Sequence, residues 1–397
     1  MKAHIYTLTS QLHDRQAVDT TTLEFLSSLN IEYELCHDHF DDYGSHALDL
    51  IYVRTGGTEG IFRQLLPQLQ EQSTRPFFLL TSGKSNSLAA SMEILSFLRQ
   101  HGISGEILHG STAYISRRIQ LLGQVSEARN KLSGSKLGVV GKPSDWLISS
   151  AADAGMVKRK LGIELKEIEM PELLTTIAET PLPTAEYEAP TEGIRNALPG
   201  AWQIYHALRK MVDRHALKGL TIRCFDLLSE VHNTGCIALA QLNSEGIVAG
   251  CEGDVPAMLS MVIANALTGM PGFQANPSSI DPETGQMVFA HCTIPLCMVQ
   301  RYELDTHFES GIGVGIRGYM QEGPVTIFKI SGDLSRHFIA EGTLIRNEAK
   351  PDLCRTQQVI QLSDPSQAQY FLTNPIGNHH IILPGKHQDA LEEMMTL

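Results

Sequence analysis

Three groups of side chains in this 397-residue sequence have types and positions suited to chemistry. Asp226, Glu230, His232 and Asn233 follow the apolar stretch LTIRCF, and Glu252 and Asp254 stand in GCEGDVPAM, directly after IVAG. Far along the chain, GNHHIILPGKH supplies Asn378, His379, His380 and His387. Two carboxylates and one imidazole, with open positions left over, can hold a divalent cation. Hard oxygen ligands favour Mg or Mn over copper or zinc. Adjacent histidines at the start of a strand point to opposite faces, so one of His379 and His380 at most is expected to face a given site.

These residues need elements to bring them together. Leu220–Phe225 and Ile247–Gly250 read as strands with a helical segment, Cys236–Asn243, between them: a βαβ unit. Ligands of parallel sheets bind beyond the carboxyl ends of the strands, which selects the loops holding Asp226, Glu230, Glu252 and Asp254. Asp254 precedes VPAMLSMVIANALTG, a helix that Gly269 can end, so it is a candidate N-cap. Proline prefers the first helical position, which would put Val255 at the cap and leave the Asp254 carboxylate free.

Earlier in the chain, Lys2–Leu8, Asp49–Val53 and Pro76–Leu80 are strand-like, Ser85–His101 has helical spacing, and a first α/β unit ends near Lys131. KLGVVG opens a second unit. Pro171–Pro199, rich in Pro, Glu and Thr, reads as an exposed connector, and Trp202–Leu217 as a long amphipathic helix closed by Gly219. From Pro271 on, strand-like runs at Met287–Ile294, Val325–Ser331, Phe338–Ile345 and His380–Leu383 replace helical periodicity, with a short helix from Gln388. An antiparallel sheet or small barrel is expected there.

Other motifs carry less. TSGKSNS lacks the glycine of a phosphate loop, since Phe78 occupies that position. His37, Asp38, His39, Asp41 and Asp42 form a solvated acidic run that could take up a metal, and RTGGTEG is a turn able to approach a small ligand. His291 and Cys292 sit in a strand, where a buried structural pair is the default.

Composition excludes several classes. Lys plus Arg number 31 against 44 Asp plus Glu, a formal charge of −13, so the basic footprint of a nucleic-acid binder is missing. The seven cysteines are scattered without a CxxC pair and read as reduced thiols. The N-terminus has no apolar stretch of signal-peptide length, and no run of about 18 apolar residues suggests a membrane span. A soluble, cytoplasmic protein with neither nucleic-acid nor membrane partners is expected.

At GCEGDVPAMLSMVIANALTGMPGFQAN, FAHCTIPLCM and GNHHIILPGKHQDAL, the sequence resembles the L-fucose/L-arabinose isomerase superfamily, and most of all its shorter fucose isomerase-like proteins. The similarity is most specific over Leu220–Ile294 and returns at GPVTIFKISGD and GNHH. It implies two Rossmann-like α/β domains with parallel sheets, at residues 1–134 and 135–250, then an antiparallel β-barrel-like domain at 251–397 with the metal and substrate site at its junction with the second. It also implies a homotrimer or homohexamer and a Mn²⁺ ion held by a Glu, an Asp about two dozen positions on, and a distant His. Asp254 takes the Asp place, Glu230 stands 24 positions earlier, and His379 follows Asn378. Asp226 and His380 remain the alternatives.

The implied activity is aldose–ketose isomerisation of an open-chain sugar through an enediol, with Glu230 and Asp254 as metal-bound acid and base. Asn378, Glu252 and His291 are the candidates for holding the sugar. The rival expectations are another reaction on a modified sugar, or a non-catalytic sugar-binding protein on the same scaffold.

Overall fold

The computed structural model describes residues 2–396. The chain divides into two compact units, one reaching to Asn130 and the other spanning Lys131–Met395.

The first unit is a parallel sheet of β1 (Ala3–Leu8), β2 (Tyr33–His37), β3 (Asp49–Val53), β4 (Phe77–Leu80) and β5 (Gly105–Leu108), in the order β2-β1-β3-β4-β5. Every residue of β3 and β4 is buried, as expected of strands covered on both faces by crossover helices. Alternation divides them: Tyr6, Ile51, Val53, Phe77 and Leu79 pack with Phe62, Leu69 and Leu98, while Ile5, Leu50, Tyr52 and Leu80 pack with Leu26, Ile119 and Leu122.

The second unit begins with a parallel sheet of β6 (Lys136–Val140), β7 (Glu164–Ile168), β8 (Gly219–Ile222) and β9 (Val248–Gly250), in the order β7-β6-β8-β9. β8 and β9 pair in parallel, so the βαβ expectation from Leu220 to Gly250 holds. The Pro171–Pro199 connector holds only for residues 179–191, which carry no helix or strand and are largely exposed. Pro171 sits in the first turn of a helix at Met170–Ala178, and Pro199 lies inside the Glu192–His215 helix. Proline at a helix start is compatible with helix because its missing N–H has no partner there anyway, and composition alone could not reveal this.

The helix Val255–Thr268 is apolar all round and buried along nearly its whole length. It adjoins a closed antiparallel barrel of six strands. With β10 (Phe273–Asp281), β11 (Gln286–His291), the two-stranded ribbon β12 (Arg301–Asp305) and β13 (Gly315–Tyr319), β14 (Gly323–Ile330), β15 (His337–Glu348), β16 (Thr356–Leu362) and β17 (His380–Pro384), the barrel order is β10-β11-β16-β15-β14-β17. Two parallel α/β sheets followed by an antiparallel barrel is the architecture expected from the sequence. β10 escaped notice because Pro277 interrupts it, and the register shifts there between Pro277 and Ser279.

Candidate metal centre

The turn after β9 explains the GCEGD box. Glu252 adopts a positive φ of 64° although it is not glycine, and Gly253 follows at 69°. A Cβ on Gly253 would lie 2.6 Å from the Lys142 carbonyl oxygen, so only glycine fits. Backbone bonds tie the turn down, Gly253 N–H donating to Ile222 O and Ser144 N–H to Glu252 O. The strained Glu252 backbone aims its carboxylate inward, where Oε2 accepts from the Trp146 indole N–H at 2.7 Å.

Asp254 caps the Val255–Thr268 helix: its Oδ1 accepts from Ala257 N–H at 2.9 Å, and Pro256 sits within the first turn. The expectation of Val255 as cap is therefore corrected, because proline is accommodated one position later than assumed. Its second oxygen, Oδ2, lies 2.8 Å from His379 Nδ1 and 3.6 Å from Lys329 Nζ. Asp254 is fully buried and shares itself between a helix terminus and an imidazole.

Strand register brings the histidines to the same place. His380 opens β17 opposite Ala275 of β10, and Ala290 of β11 pairs with Asn276. His379 and His291 thereby meet across the barrel rim with ring centroids 5.4 Å apart. His379 Nε2 is 3.4 Å and His291 Nε2 3.6 Å from Glu252 Oε1. Ligand atoms of Glu252, His291 and His379 lie within 4.8 Å of one another, and all three residues are buried.

Whether these residues suit a cation can be tested on His379. Its Nδ1 faces Asp254, which fixes Nε2 toward Glu252 and His291, and Nε2 has no hydrogen-bond partner despite being buried. A carboxylate behind an imidazole whose other nitrogen points at an open position is the usual second-layer support of a metal-binding histidine. The electrostatics agree. Burial would raise the Glu252 carboxyl, but His291 and His379 outweigh it and hold it well below the usual range. Burial opposes a charge on His379 too, yet Asp254 and Glu252 push its pKa up to about 9, so positive charge is favoured at this spot. Asp254 is held down at about 2 against its burial by Lys329 and His379.

The paired histidines separate as strand geometry requires. His380 turns to the other face, where its Nε2 lies 3.1 Å from the Tyr370 hydroxyl and its Nδ1 donates to Asn378 O. Asn378 is exposed and donates to Asn276 Oδ1 at 2.9 Å. Glu230 ends the short Asp226–Glu230 helix with an exposed side chain and is not among the residues of the Glu252 group. Asp226 is engaged by Arg223 Nε at 3.0 Å, His232 Nδ1 by Leu228 O, and the Asn233 amide by Ala197 O.

Beside Glu252 and His291 lies a small cavity of about 30 Å³. Its walls include Phe225, Leu228, Asn276, His307 and Glu309, and five cysteines scattered in sequence: Cys224, Cys236, Cys251, Cys292 and Cys354. All seven cysteines are free thiols in the structure, and Cys224 Sγ lies 2.9 Å from Cys251 Sγ. His307 and Glu309, from the loop between β12 and β13, went unnoticed in the sequence. Thr234 pins this loop: its hydroxyl donates to Val314 O and accepts from Val314 N–H. The charged Lys329 inside the apolar VTIFKI was the one visible signal that a buried counter-charge was needed.

The fold and site define a protein of α/β plus closed-barrel architecture with a buried carboxylate–imidazole group of metal-binding type. No family model matches the chain. It is similar to proteins named sulfoquinovose isomerase: 25% identical over 332 residues to that of Priestia megaterium, covering 79% of this chain and 73% of the relative. To that of Alkalicoccus urumqiensis it is 24% identical over 261 residues, or 62% and 59%. To that of a Clostridium species it is 26% identical over 225 residues, or 54% and 49%. The chain thus spans about half to three fifths of the length of these last two relatives. These likenesses agree with the resemblance to the L-fucose/L-arabinose isomerase superfamily drawn from the motifs.

Proposed function

We propose that this chain is a metal-dependent aldose–ketose isomerase in which Glu252, His291 and His379 hold a divalent cation and Asp254 orients His379. The observation that carries the reading is the buried, unpartnered Nε2 of His379, fixed by Asp254 and facing Glu252 and His291. In this assignment Glu252 and His291 join His379 as ligands in place of Glu230 and Asp254. The cation is proposed to be Mn²⁺ on the superfamily resemblance, although two imidazoles also admit Zn²⁺ or Co²⁺. When bound, it would supply Lewis-acid polarisation of the sugar's carbonyl and neighbouring hydroxyl oxygens.

The proton chemistry falls to the chain. Isomerisation takes a proton from one of two neighbouring carbons and returns one to the other, so the base needs a pKa near the working pH. Glu252, held ionised, is unsuited. Glu309 lines the cavity, and burial followed by the negative charge of Glu252 raises its carboxyl. His307 Nε2 stands 3.7 Å from Glu309 Oε2, and burial followed by the charge of His291 lowers its pKa to about 4, leaving it neutral. We assign Glu309 the carbon-bound proton and His307 the exchange between the two oxygens. A carboxyl whose pKa is raised and an imidazole kept neutral, side by side on one cavity wall, suit that division.

The test is a screen of neutral aldoses and ketoses together with sulfoquinovose, with Mn²⁺, Zn²⁺ or Co²⁺ and after chelation. Interconversion of one pair, abolished by chelation and by Glu252→Gln, is expected. Metal-independent sugar binding without conversion would instead favour a receptor. A cytoplasmic homotrimer or homohexamer acting on a small sugar completes the proposal, and light scattering reads the assembly.

A further inference from the structure

We propose that Cys224 and Cys251 form a redox switch: a peroxide joins them in a disulfide that turns down the neighbouring site, and a thiol reductant restores it. The two residues stand at adjacent strand ends, Cys224 two positions beyond β8 and Cys251 one position beyond β9. Neighbouring strands lie about 4.8 Å apart, inside the range of Cα separations that a disulfide spans. The two sulfurs are 2.9 Å apart, so closing to a bond of about 2.05 Å takes a shift of less than about 1 Å.

Both thiols line the cavity beside Glu252, whose volume of about 30 Å³ has room for about two water molecules, enough for hydrogen peroxide. Cys224 is the less buried of the two and is assigned the first step. Its thiolate attacks one peroxide oxygen: the S–O bond forms, the O–O bond breaks, and the departing hydroxide takes up the proton that the thiol gave away. The products are a sulfenic acid and water. The Cys251 thiol then attacks that sulfur. The S–S bond forms as the S–O bond breaks, and the hydroxyl group leaves with the Cys251 proton as a second water. Two thiols are oxidised by two electrons in all, and one peroxide is reduced.

The shift falls on Cys224. The Cys251 backbone is clamped by Gln274, whose Oε1 accepts from Cys251 N–H at 2.9 Å and whose amide donates to Cys251 O at 3.3 Å. Cys224 instead opens the turn into the short Asp226–Glu230 helix, its carbonyl accepting from Leu227 N–H at 3.2 Å. Moving Cys224 carries Phe225 with it. The Phe225 ring meets Trp146 edge-on at 4.7 Å and His307 at 5.5 Å between centroids. Trp146 donates to Glu252, and His307 is the group assigned the exchange between the sugar oxygens. One bond thus disturbs both partners of Phe225. Its effect on turnover rests on the isomerase reading, whereas the disulfide and the movement of Phe225 do not.

The experiment treats the reduced full chain with hydrogen peroxide, unfolds it in the presence of an alkylating agent and maps the thiols by mass spectrometry. A Cys224–Cys251 linked peptide, lighter by two hydrogens and removed by dithiothreitol, is expected. Cys251→Ser should leave Cys224 as a sulfenic acid that dimedone captures; if that chain fails to fold, Cys224→Ser should show Cys251 left without a disulfide. Trp146 fluorescence, read in a Trp202→Phe chain, should change on oxidation and recover with dithiothreitol. Turnover should fall at least ~10-fold relative to the reduced form of the same chain. Peroxide that oxidises the exposed Cys297 and leaves Cys224 and Cys251 free overturns the pair. A disulfide that leaves Trp146 fluorescence unchanged, or the turnover of an active chain unchanged, overturns the switch. In a chain that isomerises no sugar the fluorescence remains the readout, so the two failures separate.

Discussion

Placing Glu252 and Asp254 against one buried imidazole brings a desolvation penalty that only positive charge can offset. Lys329 supplies one such charge, fully buried and 3.6 Å from Asp254, and the space among Glu252, His291 and His379 accommodates another. The roles of the two acids then differ. Glu252 offers an oxygen to the centre, whereas both oxygens of Asp254 are engaged, by Ala257 N–H and by His379. Glu252→Gln should nearly abolish metal binding, and Asp254→Asn should weaken it by roughly 10–100-fold, as calorimetry would measure. Glu309→Gln should keep the metal and lose at least ~10² in turnover. Glu230→Gln, on an exposed side chain, should leave turnover near that of the parent chain; a large loss there would return Glu230 to the mechanism.

At the scale of elements, strand parity sorts the two adjacent histidines into different tasks. His379 faces Glu252 and His291, and His380 packs against Phe371 and Tyr370 on the other face. Burial, with the nearby charge of Lys329, lowers the His380 pKa to about 3. The unfolded chain, with His380 near its ordinary 6.5, therefore binds more protons between these values. Stability is complete above pH 6.5 and is lost as pH falls toward 3. By pH 4.5 the loss from this residue alone should be about 2–3 kcal/mol. Denaturant melts from pH 7 to 4.5 should show it, with a shallower slope in His380→Gln. Equal slopes would mean that His380 is not held neutral.

For the whole molecule, the candidate metal group draws on three segments that together span more than a hundred positions in sequence: the β9 turn, the end of β11 and the start of β17. An ion bound by all three is a cross-link in the folded state only. At free ion about 100-fold above its dissociation constant the gain is about 2.7 kcal/mol. Chelation should then lower the melting temperature by roughly 5 °C, and the shift should vanish in His379→Ala. An unchanged melting temperature in the parent chain would show that the ion does not join these segments.

Much of this was legible in the chain itself. Apolar runs bounded by turn residues located β1, β3, β4, β6 and the barrel strands β11, β14, β15 and β17, because burial on a sheet imposes local patterns. The GCEGD box and the His379–His380 pair were likewise visible as clusters of functional groups. Strands such as β16, TQQVIQL, were not, since their polar side chains are buried by partners supplied from elsewhere. Spacing along the chain favoured Glu230, whereas Glu252 reaches His291 and His379 through a backbone turn of positive φ that no periodicity encodes. His291, His307 and the five cavity cysteines became neighbours only through strand register and loop pinning. Local sequence sets which residues can ligate or transfer protons; distance and burial, which decide which of them do, are properties of the closed fold.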